Sequence, residues 1–293
     1  MLAAGCKSQY EALLASSNVE AKYAAAMNYF NTKKYSKSAQ LFESLSVQVG
    51  GTPREDTVQY YWGLSNYRFK DYFTAETNFT KFLQNFPRSP FTEDARFLRL
   101  DCLYRSTYRY ELDQTPTRAA LIAIEEYMRE YKEDTPHLEA CRKMQKDLND
   151  RLDQKAYESA RLYYKMEDYK ASRVAFKNVL KDDSENIYRE QILYYTAMSS
   201  YHYARLSVQK KQKDRYLVFA DDYLNFIGEY PESKYRRELD VMYKRSQNAL
   251  GRYTGSQEEL KAKEREFERE RRQIERAQKS ENKKNETSAK NKQ

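Results

Sequence analysis

The sequence predicts an all-α protein, an α-solenoid of about five helical hairpins followed by a charged C-terminal tail. Three observations lead there. Only seven glycines and six prolines punctuate the 293 residues, too few for the many tight turns of a β-sandwich or barrel. Apolar residues recur at i, i+4 and i+7, which places them on one face of a helix. The same three-position pattern then returns along the chain, and a lone helical hairpin cannot bury its apolar face without such neighbours. No run approaches the roughly 18 consecutive apolar residues of a membrane-spanning helix.

In chain order, Met1-Leu-Ala-Ala-Gly-Cys6 places small residues before a cysteine. This resembles the end of a bacterial lipoprotein signal peptide, which implies lipidation of Cys6; an incidental cysteine is the alternative. Lys7 to Val19 reads as a tether into the first helix. The second helix of each hairpin carries a small residue with apolar partners at +4 and +7: Ser38/Phe42/Leu45, Ala75/Phe79/Phe82, Ala120/Ile124/Tyr127, Ser172/Phe176/Val179 and Ala220/Leu224/Ile227. Tyr35, Tyr72 and Tyr169 follow the inter-helix turns of three of them, and the first helices show Ala26/Tyr29 and Ala160/Tyr163, each pair three apart.

The pattern resembles the tetratricopeptide repeat, whose period is about 34 residues. Here the copies are 37, 45, 52 and 48 residues apart, so first helices or loops must be extended, and a divergent repeat is expected. Pro53, Pro87, Pro116 and Pro231 fall at helix ends or first turns, where a missing N–H costs little. Thr115 is the expected N-cap before Pro116. Pro136 to about Met166 reads as one long helix dividing the array.

The resulting organisation is 1–5 as signal remnant, 6–19 as lipid-anchored tether, 20–135 as N-terminal repeats one to three, 136–251 as C-terminal repeats four and five, and 252–293 as tail. In the tail Leu260, Phe267 and Ile274 recur every seven residues. One apolar position per heptad is too narrow a seam for a stable coiled coil, so a marginal helix fading into disorder is expected.

The net charge is +8, yet the 52 basic and 44 acidic residues interleave, as on solvated helix faces rather than a nucleic-acid stripe. Cys6, Cys102 and Cys141 lack CxxC spacing, so no metal cluster is expected, and a Cys102–Cys141 disulfide is left open. His137 and His202 stand far apart, no phosphate-cradling glycine loop occurs, and GxSxG and HExxH are absent. Adjacent carboxylates such as Asp221-Asp222 read as exposed, soluble positions. Neither catalysis nor a cofactor is expected.

Binding by a helical surface remains. Twenty-eight tyrosines suit half-buried faces, where the ring packs and the hydroxyl finds a partner. First helices usually line the inside of such arrays, making Tyr29, Tyr60, Tyr67, Arg96, Arg99 and Tyr104 candidates for peptide binding. Rings and guanidinium groups would suit an extended peptide with an aromatic residue and a carboxylate. Packing between helices is the competing role for each ring.

The lipobox-like start, the divergent repeats, Glu111 to Tyr131 (ELDQTPTRAALIAIEEYMREY) and Phe226 to Tyr235 (FIGEYPESKY) together resemble the BamD family of outer-membrane assembly lipoproteins. The resemblance covers about Cys6 to Leu250. It implies anchoring on the periplasmic face of the outer membrane, docking of the C-terminal repeats on a BamA-type barrel protein alongside other assembly subunits, and recognition of unfolded outer-membrane proteins by the N-terminal repeats. Tyr201, Arg205, Arg236 and Arg237 are the residues expected at the docking surface. Two alternatives stay open: another periplasmic repeat lipoprotein coordinating envelope or peptidoglycan synthesis, and a cytosolic repeat protein touching nucleic acid through its basic tail.

Overall fold

In the computed structural model, residues 9–131, 137–251, 258, 261–269 and 271–273 are described. Among them all regular structure is helical. The chain divides into two units, 1–152 and 153–293, with the division inside a helix.

The first unit contains α1 (Gln9–Ala15), α2 (Val19–Asn31), α3 (Tyr35–Gln48), α4 (Glu55–Phe69), α5 (Tyr72–Asn85), α6 (Thr92–Arg105), α7 (Thr115–Glu130) and the start of α8 (Leu138–Lys165). From α2 to α7 each helix packs on the next, giving three hairpins: α2/α3, α4/α5 and α6/α7. Leu138, Cys141 and Leu148 of α8 close the third hairpin by joining Leu100, Ala120 and Ile124. The second unit holds the remainder of α8, α9 (Tyr169–Asp182), α10 (Arg189–Arg205), α11 (Gln209–Glu229) and α12 (Arg236–Leu250). Tyr157 and Ala160 of α8 pack with Phe176 and Ile192 to make the fourth hairpin. The fifth is α10/α11, against which α12 lies.

Three hairpins turn in the same way. Lys33, Lys70 and Glu167 adopt left-handed backbone, with φ of 59°, 69° and 61°. The next N–H reaches back five residues in each: Lys34 to Tyr29 O (2.8 Å), Asp71 to Asn66 O (3.0 Å) and Asp168 to Tyr163 O (3.0 Å). This is the Schellman closure, which satisfies carbonyls left over at a helix end. Asp71 and Asp168 then cap the second helix, accepting from Thr74 N (3.1 Å) and Ala171 N (3.0 Å), so one short turn ends one helix and starts another. Tyr35, Tyr72 and Tyr169 are the first residues of those second helices.

The repeated pattern is the core. Of its fifteen positions, all are buried except Val179 and Ile227, which are half-buried. The wide spacing of the copies has located causes. Glu20–Arg54, Tyr67–Asp101 and Asp153–Ile187 N are contacts between successive first-helix regions, each spanning 34 residues, the tetratricopeptide period. The surplus length sits in the connection from Ser106 to Gln114, in the 28-residue α8 and in the 21-residue α11.

Several details differ from the sequence reading. Part of the stretch expected to be a tether is α1, whose Tyr10, Leu13 and Leu14 pack on the first hairpin. Buried Lys22 fastens it, with Nζ donating to Leu14 O (3.1 Å) and Ser44 Oγ (2.8 Å); burial lowers its pKa. Gln114, not Thr115, occupies the N-cap position of α7, without a side-chain capping hydrogen bond. Its buried amide donates to Arg109 O and Leu112 O while accepting from Thr117 Oγ1 (2.8 Å), closing the loop, and the Thr115 hydroxyl donates instead to Asp113 Oδ1 (3.1 Å). Asp222 is buried rather than exposed. Adjacent helical residues point about 100° apart, so of the pair only Asp221 faces out. Cys102 and Cys141 are free, buried thiols in separate clusters, and burial raises the pKa of both, Cys141 to about 11. Cys6, Leu260 and Ile274 lie outside the described residues.

Candidate interaction surfaces

In the first unit the candidate peptide-binding residues are all engaged within the fold. Tyr60 is buried, its ring stacked 4.4 Å from Phe91, and burial pushes its phenol up to about 12. Tyr67 donates to Asp101 Oδ2 at 2.6 Å, and Arg105 Nε reaches the same oxygen at 2.5 Å. Tyr104 donates to Asp147 Oδ2 at 3.0 Å, with the Arg151 guanidinium 5.6 Å above its ring. Arg99 donates to Glu76 Oε1 (3.0 Å) and Thr80 Oγ1 (2.8 Å), and Arg96 pairs with Glu130 (2.5 Å). Tyr29 packs edge-on to Tyr10 at 5.6 Å, with Lys34 and Lys37 over its ring.

Tyr67, Arg99 and Tyr104 therefore form polar clusters along the first-helix positions of hairpins two and three. Arg99 and Tyr104 remain half-exposed, so their outer edges are what a ligand could meet. The acceptors Asp101 and Asp147 were not singled out from the sequence. Their tyrosines lie 34 and 43 residues away, and only the repeat period hints at the first pairing.

In the second unit Tyr201 is buried, edge-on to Phe219 at 5.2 Å. Arg205 and Arg237 are exposed. Arg236, also exposed, donates to Pro231 O at 2.7 Å and holds the turn before α12. Arg205 and Arg236 thus stand on α10 and α12 of one unit, while Tyr201 is part of that unit's core.

The histidines are ring-stacking groups. His137 lies 3.8 Å from Phe97 with Nε2 3.2 Å from Asp94, and His202 stacks 4.8 Å from Tyr169. Burial, followed by the Arg205 charge, lowers the His202 pKa. Among the described residues no group of His, Cys, Asp and Glu is placed to hold a metal ion.

With hairpins, turns and surfaces in place, comparison with protein families is decisive. The profile of the YfiO family, described as an outer membrane lipoprotein, matches residues 16–217. This chain belongs to that family. The match runs from before α2 into α11, over most of the first unit and just under half of the second, and the family is the BamD family that the sequence resembled. Membership associates the protein with the outer membrane. A search of curated proteins gives no match to the chain. Among the described residues no helix is long and apolar enough to cross a membrane.

Proposed function

We propose that the protein is a non-enzymatic lipoprotein scaffold of the machinery that assembles outer-membrane β-barrels. The observation that carries this reading is the family match over residues 16–217. Acylation of Cys6 anchors it to the periplasmic face, more than one acyl chain being needed for stable anchoring. The second unit docks on a BamA-type barrel protein, with exposed Arg205 and Arg237 at the contact. The first unit meets unfolded outer-membrane proteins through the outer edges of Arg99 and Tyr104. The repeat array suits this work, because stacked helical hairpins present long surfaces without reactive groups.

Affinity purification of the full chain from envelope extracts is the test. Recovery of a BamA-type barrel, lost in the Arg205→Glu/Arg237→Glu variant, supports the reading. Recovery of cell-wall enzymes instead would overturn it. For the anchor, Cys6→Ala should move the protein from membranes washed with high salt to the soluble fraction, the salt removing electrostatic surface binding; equal retention of both forms on salt-washed membranes would rule out acylation there.

A further inference from the structure

At the turn ends of the first two hairpins the charge balance of the chain breaks down. No carboxylate occurs between Glu20 and Glu43, nor between Asp56 and Asp71. The turns bring Lys33, Lys34 and Lys37 beside Arg68 and Lys70 around an open cleft of about 370 Å³. All five are exposed, and among the described residues none forms an ion pair. Arg54 and Arg189, by contrast, pair with Glu20 and Glu229. Phe69, which lines the cleft, is 55% exposed, and Phe73, in the first turn of α5, is 82% exposed.

Like charges gathered without counter-charge repel one another, and bare phenylalanine costs solvation; an anionic, partly apolar surface would relieve both. The chain itself indicates which surface. Tyr10 of α1 donates to Lys37 O (3.3 Å) and Gln40 Oε1 (2.6 Å), with Lys37 Nζ 5.0 Å over its ring. Cys6 is three residues before Gln9, so covalent geometry keeps the two Cα atoms within about 11 Å.

We propose that this basic, phenylalanine-edged turn end lies against an anionic phospholipid surface and orients the first unit on the membrane. The orientation in the cell rests on the acylated Cys6 reading. Surface binding in solution does not.

The test is co-sedimentation of the full-length Cys6→Ala chain with vesicles of phosphatidylcholine alone or of equal parts phosphatidylcholine and phosphatidylglycerol. Binding is expected only to the phosphatidylglycerol vesicles, and it should fall with added salt. Each cation near such a surface contributes about fivefold in partitioning, so Lys33→Gln/Lys34→Gln/Lys37→Gln/Lys70→Gln should weaken binding more than about a hundredfold. Phe73→Ser should weaken it further, and circular dichroism should be unchanged in both. A control with Lys279, Lys283, Lys284 and Lys290 changed to Gln removes as many charges from the tail and should keep most of the binding. Equal loss in the control, or undiminished binding by the patch variant, would overturn the proposal. Binding to polyglutamate but not to the vesicles would overturn it in favour of an acidic polypeptide. Retention of Cys6→Ala on membranes washed with high salt, by contrast, bears on acylation and leaves the vesicle result standing.

Discussion

Ser172 Oγ and Ser199 Oγ lie 2.9 Å apart, both buried, and Ser38 and Ser65 repeat the contact at 3.0 Å in the first unit. Each pair spans 27 residues and joins the second helix of one hairpin to the first helix of the next. Small side chains let these helices approach closely, and the paired hydroxyls satisfy each other where water is excluded. Ser172→Ala should destabilise the second unit by about 1–2 kcal/mol, because it leaves Ser199 without its partner. The Ser172→Ala/Ser199→Ala chain should lose less than the two single changes together. Urea unfolding of the four species gives this coupling; strict additivity would mean that the hydroxyls act independently.

Asp222 fastens three helices of the second unit. It accepts from Arg173 Nε (2.6 Å) and Nη2 (3.1 Å) on α9, from Lys177 Nζ (2.9 Å), and from Ser200 on α10. Its side chain is 6% exposed, against 26% for Arg173 and 50% for Lys177. Removing the carboxylate strands a half-buried guanidinium, so Asp222→Ala should cost about 3 kcal/mol. Lys177→Met removes a solvated partner and should cost less than about 1 kcal/mol. Thermal unfolding should rank them in that order.

Buried tyrosines set an alkaline limit. Burial holds Tyr60, Tyr67 and Tyr164 up at about 12, with the Asp101 hydrogen bond adding to the effect at Tyr67. Tyr157, Tyr194, Tyr223 and Tyr243 are raised further, again chiefly by burial. Because the folded pKa exceeds the unfolded value near 10, this stabilisation is complete below pH 10 and is lost as pH rises through 12. Each withheld ionisation costs about 1.4 kcal/mol of stability per pH unit in that window. Tyrosinate absorbance and helical ellipticity should therefore change together, in one cooperative step. Smooth ionisation of all tyrosines with the helices intact would contradict this.

Second helices were legible in the sequence because each has one buried stripe, and the stripe is what periodicity detects. First helices were less so. α10 buries Ile192 to Tyr194 and Thr196 to Tyr201, with only Tyr195 between them half-buried, because it is sandwiched between α9 and α11 and has little polar face to set a period. Pairings such as Tyr67–Asp101 were hidden for a related reason. A tyrosine and an aspartate in separate hairpins carry no mutual mark in one sequence. Asp222 was misread because a charge adjacent to an exposed charge looks solvated until the helix phase is fixed by Phe219 and Tyr223, both buried.

The heptad spacing of the tail carries no sign that its helix docks. A single apolar residue per heptad is too little for a coiled coil, yet one is enough to dock a helix where the receiving surface is cut to fit. Phe267, in the helical segment 261–269, packs against the fifth hairpin, and its ring covers Gly228 so closely that a Cβ there would overlap it. Tyr243 donates to Glu264, and Lys263 Nζ sits 2.9 Å from both carboxylate oxygens of Asp221. Gly228→Ala should therefore act in two opposite directions. It improves helix propensity near the end of α11 by up to about 1 kcal/mol, so the unit should melt no lower than the parent. It also displaces the ring, and losing that contact should raise tryptic cleavage at Lys261 and Lys263 roughly tenfold or more. Phe267→Ala should give the same faster cleavage without the gain in helix stability. If Gly228→Ala leaves the cleavage rate unchanged, the glycine is not what admits the ring, and the tail must be held by Lys263 and Glu264 alone.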